Sequence, residues 1–173
     1  MIVGVGVDVV EIARVARALE RHARFGARVY TEAERKASAG RGVGAAAYLA
    51  RRWAAKEAVS KALGVGFSGF SYTEIEVVNL RSGAPTVAVH GEVGEWAGQL
   101  GVVRWHLSLS DTDELAFATA VAEGPEALPP RPAEPPPWVR RRLERPGRGG
   151  AAAERAARSA GARDQPRGQG TGP

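Results

Sequence analysis

No cysteine occurs anywhere in the 173-residue chain. That excludes a disulfide framework, a thiolate metal site and a cysteine nucleophile. No apolar run approaches the ~20 residues that a membrane-spanning helix requires. The opening "MIVGVGVDVVEIARV" has no basic segment ahead of its apolar stretch and carries Asp8 and Glu11 inside it, unlike a secretory signal. The expectation is a soluble, cytoplasmic protein with no membrane partner. Several catalytic motifs are missing too. "GVGVDV" has Val9 where a dinucleotide fingerprint needs its third glycine, and there is no G-x-x-x-x-G-K-[ST] loop. His22, His90 and His106 lack zinc-site spacing, and no G-x-S-x-G elbow marks a serine hydrolase.

Proline is scarce before residue 124, and ten of the eleven prolines follow it. The charge divides at the same place. Residues 1–123 carry 14 basic and 14 acidic side chains, whereas 124–173 carry ten arginines and five acids. The formal net charge of +5 therefore belongs to the last fifty residues. Text such as "LPPRPAEPPPW" buries too little apolar surface to offset its ordering entropy. The expected organisation is a folded domain over 1–123 and a disordered Pro/Gly/Arg-rich tail over 124–173. The tail's arginines could meet nucleic acid, but a solvated extension without such a partner is the simpler expectation.

Within 1–123, "IVGVGVDVV" (2–10) is a β-branched run suited to a strand buried on both faces. Alternation puts Asp8 on one face with Gly4 and Gly6, leaving space beside its carboxylate. Helices are expected over about 11–25 and 45–63. A glycine-studded loop follows, then a hairpin made by "EIEVVN" and "PTVAVH", a short helix in "GEVGEWAGQL", and the strands "RWHLSLS" and "LAFATAVAE". The order βααββαββ predicts an α+β fold with helices packed on one small, mostly antiparallel sheet. Arg14, Arg17, Arg21, Arg24 and Arg28 would lie within roughly an 80° arc if the first helix runs that far. A row of one sign suits a partner bearing a negative stripe: a nucleic acid, an anionic membrane or an acidic protein.

The stretch "WAAKEAVSKALG" (53–64) places Trp53, Glu57 and Lys61 one helical turn apart on one face. Tyr48, Ala55, Val59, Ala62 and Leu63 occupy the other. Alone, Glu57 and Lys61 read as an exposed i,i+4 pair. With Asp8 on a neighbouring strand, the two carboxylates suit Mg²⁺, which keeps several waters and takes further oxygens from substrate phosphates. Lys61 could then reach a phosphate oxygen.

At these residues a resemblance becomes specific. "GVGVDVVEI", "RRWAAKEAVSKALG" and "WHLSLSDTDELAFATAVAE" resemble, in order and spacing, the three signature segments of the 4′-phosphopantetheinyl transferases. The length is similar to the short bacterial holo-[acyl-carrier-protein] synthase branch. The resemblance covers about 1–123 and not the tail. It implies transfer of the phosphopantetheine arm of coenzyme A to a serine of apo acyl-carrier protein, in fatty acid or polyketide synthesis, by a homotrimer with coenzyme A between subunits. Asp8 and Glu57 fall on the family's Mg²⁺ ligands, and Glu57 and Lys61 on its catalytic groups. Arg52, Lys56, Lys61, His106 and Ser108 match positions that approach coenzyme A. Arg14, Arg21, Arg24, Phe25 and Arg28 match the carrier-protein docking surface. One departure is Asp111, where the family usually has a second histidine; a carboxylate there could repel phosphate. A carrier-binding relative without activity and a nucleic-acid-binding protein acting through its tail remain the other readings.

Overall fold

The computed structural model describes residues 1–65 and 70–127, and from there on 129, 130, 132, 134, 136–138 and 140. Strand β1 (Ile2–Glu11) leads into helices α1 (Ile12–Arg21), α2 (Phe25–Val29), α3 (Glu32–Ala39) and α4 (Ala45–Ala62). The hairpin β2 (Ile75–Asn79) and β3 (Pro85–Val89), helix α5 (Gly91–Gln99), and strands β4 (Arg104–Asp111) and β5 (Leu115–Glu123) complete the chain order. The α+β expectation stands, but the strands form two sheets. One is antiparallel with order β1-β5-β4; the other is the β2–β3 hairpin. The hairpin packs beside β4, where the Thr86 hydroxyl donates to the Trp105 carbonyl at 3.4 Å.

Helix α4 runs between the layers and is buried on nearly every side, at Tyr48, Leu49, Ala54, Ala55, Ala58, Val59 and Ala62 among others. Its alanines let neighbouring backbones come close without voids. The closest approach is to β1. A Cβ on Gly4 would stand 1.9 Å from the Ala62 carbonyl oxygen, and one on Gly6 would stand 1.9 Å from that of Ala58. Only hydrogen fits there. Beyond α4, Gly64 takes φ +72°. The Val65 amide donates to Ser60 and the Gly64 amide to Lys61, which closes the helix as a Schellman turn.

Three expectations are corrected. The first helix stops at Arg21, because His22 leaves the helical region at φ −128°, ψ 93°. The new axis of α2 allows Phe25 to stack on Trp53 and buries Val29 and Tyr30; a straight helix would carry those side chains past the core. Arg24 and Arg28 therefore leave the row that Arg14, Arg17 and Arg21 keep on α1. Next, β1 is not buried on both faces, since Val5, Val7 and Val9 are about half exposed. Finally, the segment assigned to the tail contributes to the core: Trp138 is only 7% exposed and joins the main apolar cluster. Residues 141–173, the rest of that expected tail, lie outside the described residues.

Candidate active site

The register explains where Asp8 points. It pairs with Ala118, which pairs with Leu109, so its carboxylate shares the face turned toward α4. The Gly4 and Gly6 approach brings that helix close enough for side chains to meet. The Lys61 ammonium donates to Asp8 Oδ1 at 2.8 Å and to the Val7 carbonyl at 2.9 Å. Glu57, one turn earlier on α4, accepts from the Trp53 indole at 2.9 Å. Burial pushes the Glu57 carboxyl up to about 7, and the Asp8 charge pushes the same way. Trp53, Lys61 and Arg14 partly offset both. Two neighbouring carboxylates, Asp8 bonded by the Lys61 ammonium and Glu57 by the Trp53 indole, bring negative charge together at this point.

That donor set fits a hard divalent cation. Asp8 and Glu57 offer two oxygen-bearing groups, and among the described residues no cluster of three acidic, histidine or cysteine side chains could hold a metal without added ligands. A cation here would complete its shell from water and substrate oxygens, as Mg²⁺ does.

Beside Glu57 lies a groove of about 1150 Å³. Its floor is aromatic: Phe25 stacks on Trp53 with centroids 5.0 Å apart, Trp53 meets Tyr72 at 5.6 Å, and Tyr72 meets Phe70 at 6.1 Å. Arg21, Arg24 and Arg28 line its rim. The three arginines thus reach one groove from two helices, although they do not share one helical face. Sequence reading missed Phe70 and Tyr72, whose only signal was two aromatic residues just after a glycine-rich loop.

Two residues expected at the nucleotide lie elsewhere. Lys56 is fully buried. Its ammonium donates to the Tyr72 carbonyl at 3.0 Å, to the Ile75 carbonyl, and to Glu34 at 2.8 Å. Burial lowers its pKa, and the Glu34 carboxylate opposes that. Glu34 itself accepts from the Thr31 and Val77 amides. Three donors with three acceptors make Lys56 a core tie between α3, α4 and β2, leaving none for a phosphate. Arg52, 5% exposed, lies 4.1 Å over the Tyr48 ring and donates to Asn79 Oδ1 at 2.9 Å. Both expected coenzyme A contacts are thus buried within the single chain, because α4 is enclosed on faces that its sequence could not rank.

His106 and Ser108 are also apart from the cluster within one chain. They pair through Val121 and Thr119 with Val5 and Val7, on the face of the sheet opposite Asp8. There the His106 ring lies 2.6 Å from Glu123 Oε2, and that contact lowers the Glu123 pKa. Asp111 is paired with Arg51 at 2.6 Å, so its carboxylate does not stand as an uncompensated charge.

With this geometry in place, the comparisons are specific. The model of the 4′-phosphopantetheinyl transferase superfamily matches residues 4–120. A holo-[acyl-carrier-protein] synthase of Methylobacterium radiotolerans is 47% identical over 135 residues, covering 75% of this chain and 96% of its own. One from Halorhodospira halophila is 47% identical over 123 residues, covering 70% and 97%. Among solved structures, the Bacillus anthracis holo-(acyl-carrier-protein) synthase in complex with CoA (3′,5′-ADP) superposes with a TM-score of 0.61 at 35% identity, over 72% of this chain and 99% of that one. The Plasmodium yoelii acyl carrier protein synthase with ADP bound gives a TM-score of 0.66 at 31% identity, over 73% and 98%.

Proposed function

The chain belongs to the 4′-phosphopantetheinyl transferase superfamily, and on that premise we propose that it is a holo-[acyl-carrier-protein] synthase. It transfers the 4′-phosphopantetheine of coenzyme A to a serine of apo acyl-carrier protein and releases adenosine 3′,5′-bisphosphate. The observation that carries this reading is the convergence of Asp8, Glu57 and Lys61 between β1 and α4. Asp8 and Glu57 would hold Mg²⁺, which when bound supplies Lewis-acid polarisation of the pyrophosphate.

The chain's own residues divide the remaining work. Glu57 is held by the Trp53 indole one turn from Lys61, and its carboxylate can take the proton of the incoming serine hydroxyl. The serine oxygen then bonds to the phosphorus bearing pantetheine, while the bond from that phosphorus to the bridging oxygen breaks. Lys61, already half exposed beside Asp8, offers its ammonium to the charge that gathers on the phosphate oxygens. Trp53 acts indirectly, by fixing the orientation of Glu57.

The open valine face of the sheet supports assembly into a homotrimer. Val5, Val7 and Val9 form an apolar strip of the kind that marks an interface. A neighbouring copy seated there would bring His106 and Ser108 toward an adjoining cluster, with coenzyme A held between subunits. The rim arginines Arg21, Arg24 and Arg28, with Arg14 nearby, suit an acidic carrier protein laid over the groove. Among the described residues no helix is long and apolar enough to cross a membrane, and we place the reaction in the cytoplasm, in fatty acid or polyketide synthesis. A binding-only relative is disfavoured because all three reacting side chains are present and converge.

The test is mass spectrometry of an apo acyl-carrier protein incubated with the enzyme, coenzyme A and Mg²⁺. The carrier gains one phosphopantetheine, and Asp8→Ala or Glu57→Ala removes most of that gain while thermal unfolding stays cooperative. Unchanged turnover in either variant would overturn the assignment.

A further inference from the structure

Trp138 lies eighteen residues past the last position matched by the family at residue 120, in a proline-rich segment that composition alone assigns to solvent. It is nevertheless buried in the main apolar cluster. Its ring meets Phe70 edge-on, with centroids 5.7 Å apart and planes at 77°. From Phe70 the contacts continue through Tyr72 to Trp53, and the Trp53 indole donates to Glu57. One unbroken series of rings therefore runs from the C-terminal extension along the floor of the groove to Trp53.

We propose that Trp138 is a positioning residue for the carrier groove: the extension holds Phe70, and through it the aromatic floor, in the geometry that receives the carrier protein. This rests on the reading of the groove given above. Phe70 lies between α4 and β2, outside any regular element, so side-chain packing must fix its ring. Tyr72 is anchored from one side by the Lys56 ammonium on its carbonyl. Trp138 supplies a corresponding wall for Phe70. Edge-to-face aromatic contacts have a defined geometry as well as a large area, so removing the indole leaves Phe70 facing a void into which it can turn. Trp138 meets Phe70 and the main apolar cluster, so its influence falls on the groove rather than on phosphate chemistry.

The test uses the full chain with Trp138→Ala and Trp138→Phe. At a temperature well below unfolding for each variant, Trp138→Ala should raise the KM for apo carrier protein on the order of tenfold while kcat and the KM for coenzyme A change by less than about threefold. Trp138→Phe retains a ring against Phe70 and should recover most of the loss. Equal decline of kcat and both KM values, or no change in carrier KM, would overturn the proposal. A second measurement is independent of turnover. In protein labelled with 5-fluorotryptophan, the Trp53 fluorine resonance, assigned with Trp53→Phe, should shift or broaden in Trp138→Ala and return in Trp138→Phe. A Trp53 line unmoved by Trp138→Ala would refute the positioning role. If wild-type enzyme fails to modify any carrier while the Trp53 line does respond, the functional reading fails and the positioning role stands.

Discussion

Adding one methyl group at Gly6 tests the link between sheet and chemistry directly. The new Cβ would start 1.9 Å from the Ala58 carbonyl oxygen and 2.7 Å from the Ala62 amide nitrogen, whereas real Cβ atoms essentially never approach within 3.0 Å. Both obstacles are helix backbone, so no side chain can swing aside. To clear the carbonyl, β1 and α4 must separate by about 1.1 Å at that point. Asp8 travels with β1, while Glu57 and Lys61 travel with α4. The stability cost of such overpacking is about 1–3 kcal/mol, or roughly 3–12 °C in Tm for a domain of this size. A displacement near 1 Å between reacting groups costs on the order of 10²-fold in rate. Gly6→Ala should therefore fold with a lowered Tm and show kcat reduced about a hundredfold when assayed below its unfolding transition. Gly40→Ala is the matched control, since a Cβ there meets nothing within 4 Å. Wild-type kcat in Gly6→Ala would refute the reasoning, because the helix–strand contact would then not set the geometry of the site.

Three further outcomes follow from side chains away from that contact. Lys56→Met strands the buried Glu34 carboxylate without its cation and should cost about 3–5 kcal/mol in urea unfolding, with Glu34→Leu in the same chain restoring most of it; an unaltered midpoint in the single variant would contradict the buried tie. Double charge reversal at Arg14 and Arg21 should weaken carrier-protein association and flatten its ionic-strength dependence, while calorimetric titration with coenzyme A stays unchanged; equal loss for both ligands would place the arginines in the nucleotide site. Because the His106 contact holds the Glu123 pKa below its ordinary value, the favourable contribution of that contact is present at neutral pH and disappears as pH falls through the lowered value. His106→Gln should raise the Glu123 midpoint in a carboxyl NMR titration, and a fixed midpoint would mean that the contact does not form in solution.

Alternation and helical spacing made much of this legible. Gly4, Gly6 and Asp8 announced one face of β1, and Trp53, Glu57 and Lys61 announced one face of α4. The hairpin and the last two strands follow from period-two runs broken by turn residues, and "GEVGEWAGQL" reads as the short helix α5. What escaped did so for definable reasons. Helix α3 carried a capping box at Thr31 and Glu34, a short signal easily overlooked without a long apolar period behind it. Periodicity could not reveal that α4 is enclosed on several sides, so the burial of Arg52 and Lys56 was not legible. The break after Arg21 goes with the stacking of Phe25 on Trp53 and the burial of Val29 and Tyr30, contacts distant in sequence. Trp138 was hidden by averaging, since one anchoring ring hardly alters the composition of a fifty-residue segment.

The two faces of the β1-β5-β4 sheet carry different halves of the expected site, Asp8 on one and His106 with Ser108 on the other. If each working centre draws its acidic half from one copy and its histidine half from the next, two disabled variants can repair each other. Asp8→Ala and His106→Ala, each inactive alone, would regain transfer after being unfolded together and renatured in equal amounts. Random assortment leaves roughly a quarter of the shared centres with both halves intact, so recovery should approach that fraction of wild-type turnover. Dilution that separates the copies should abolish it. Failure of the mixture to exceed its separate components would mean that each chain works with only the face it folds around.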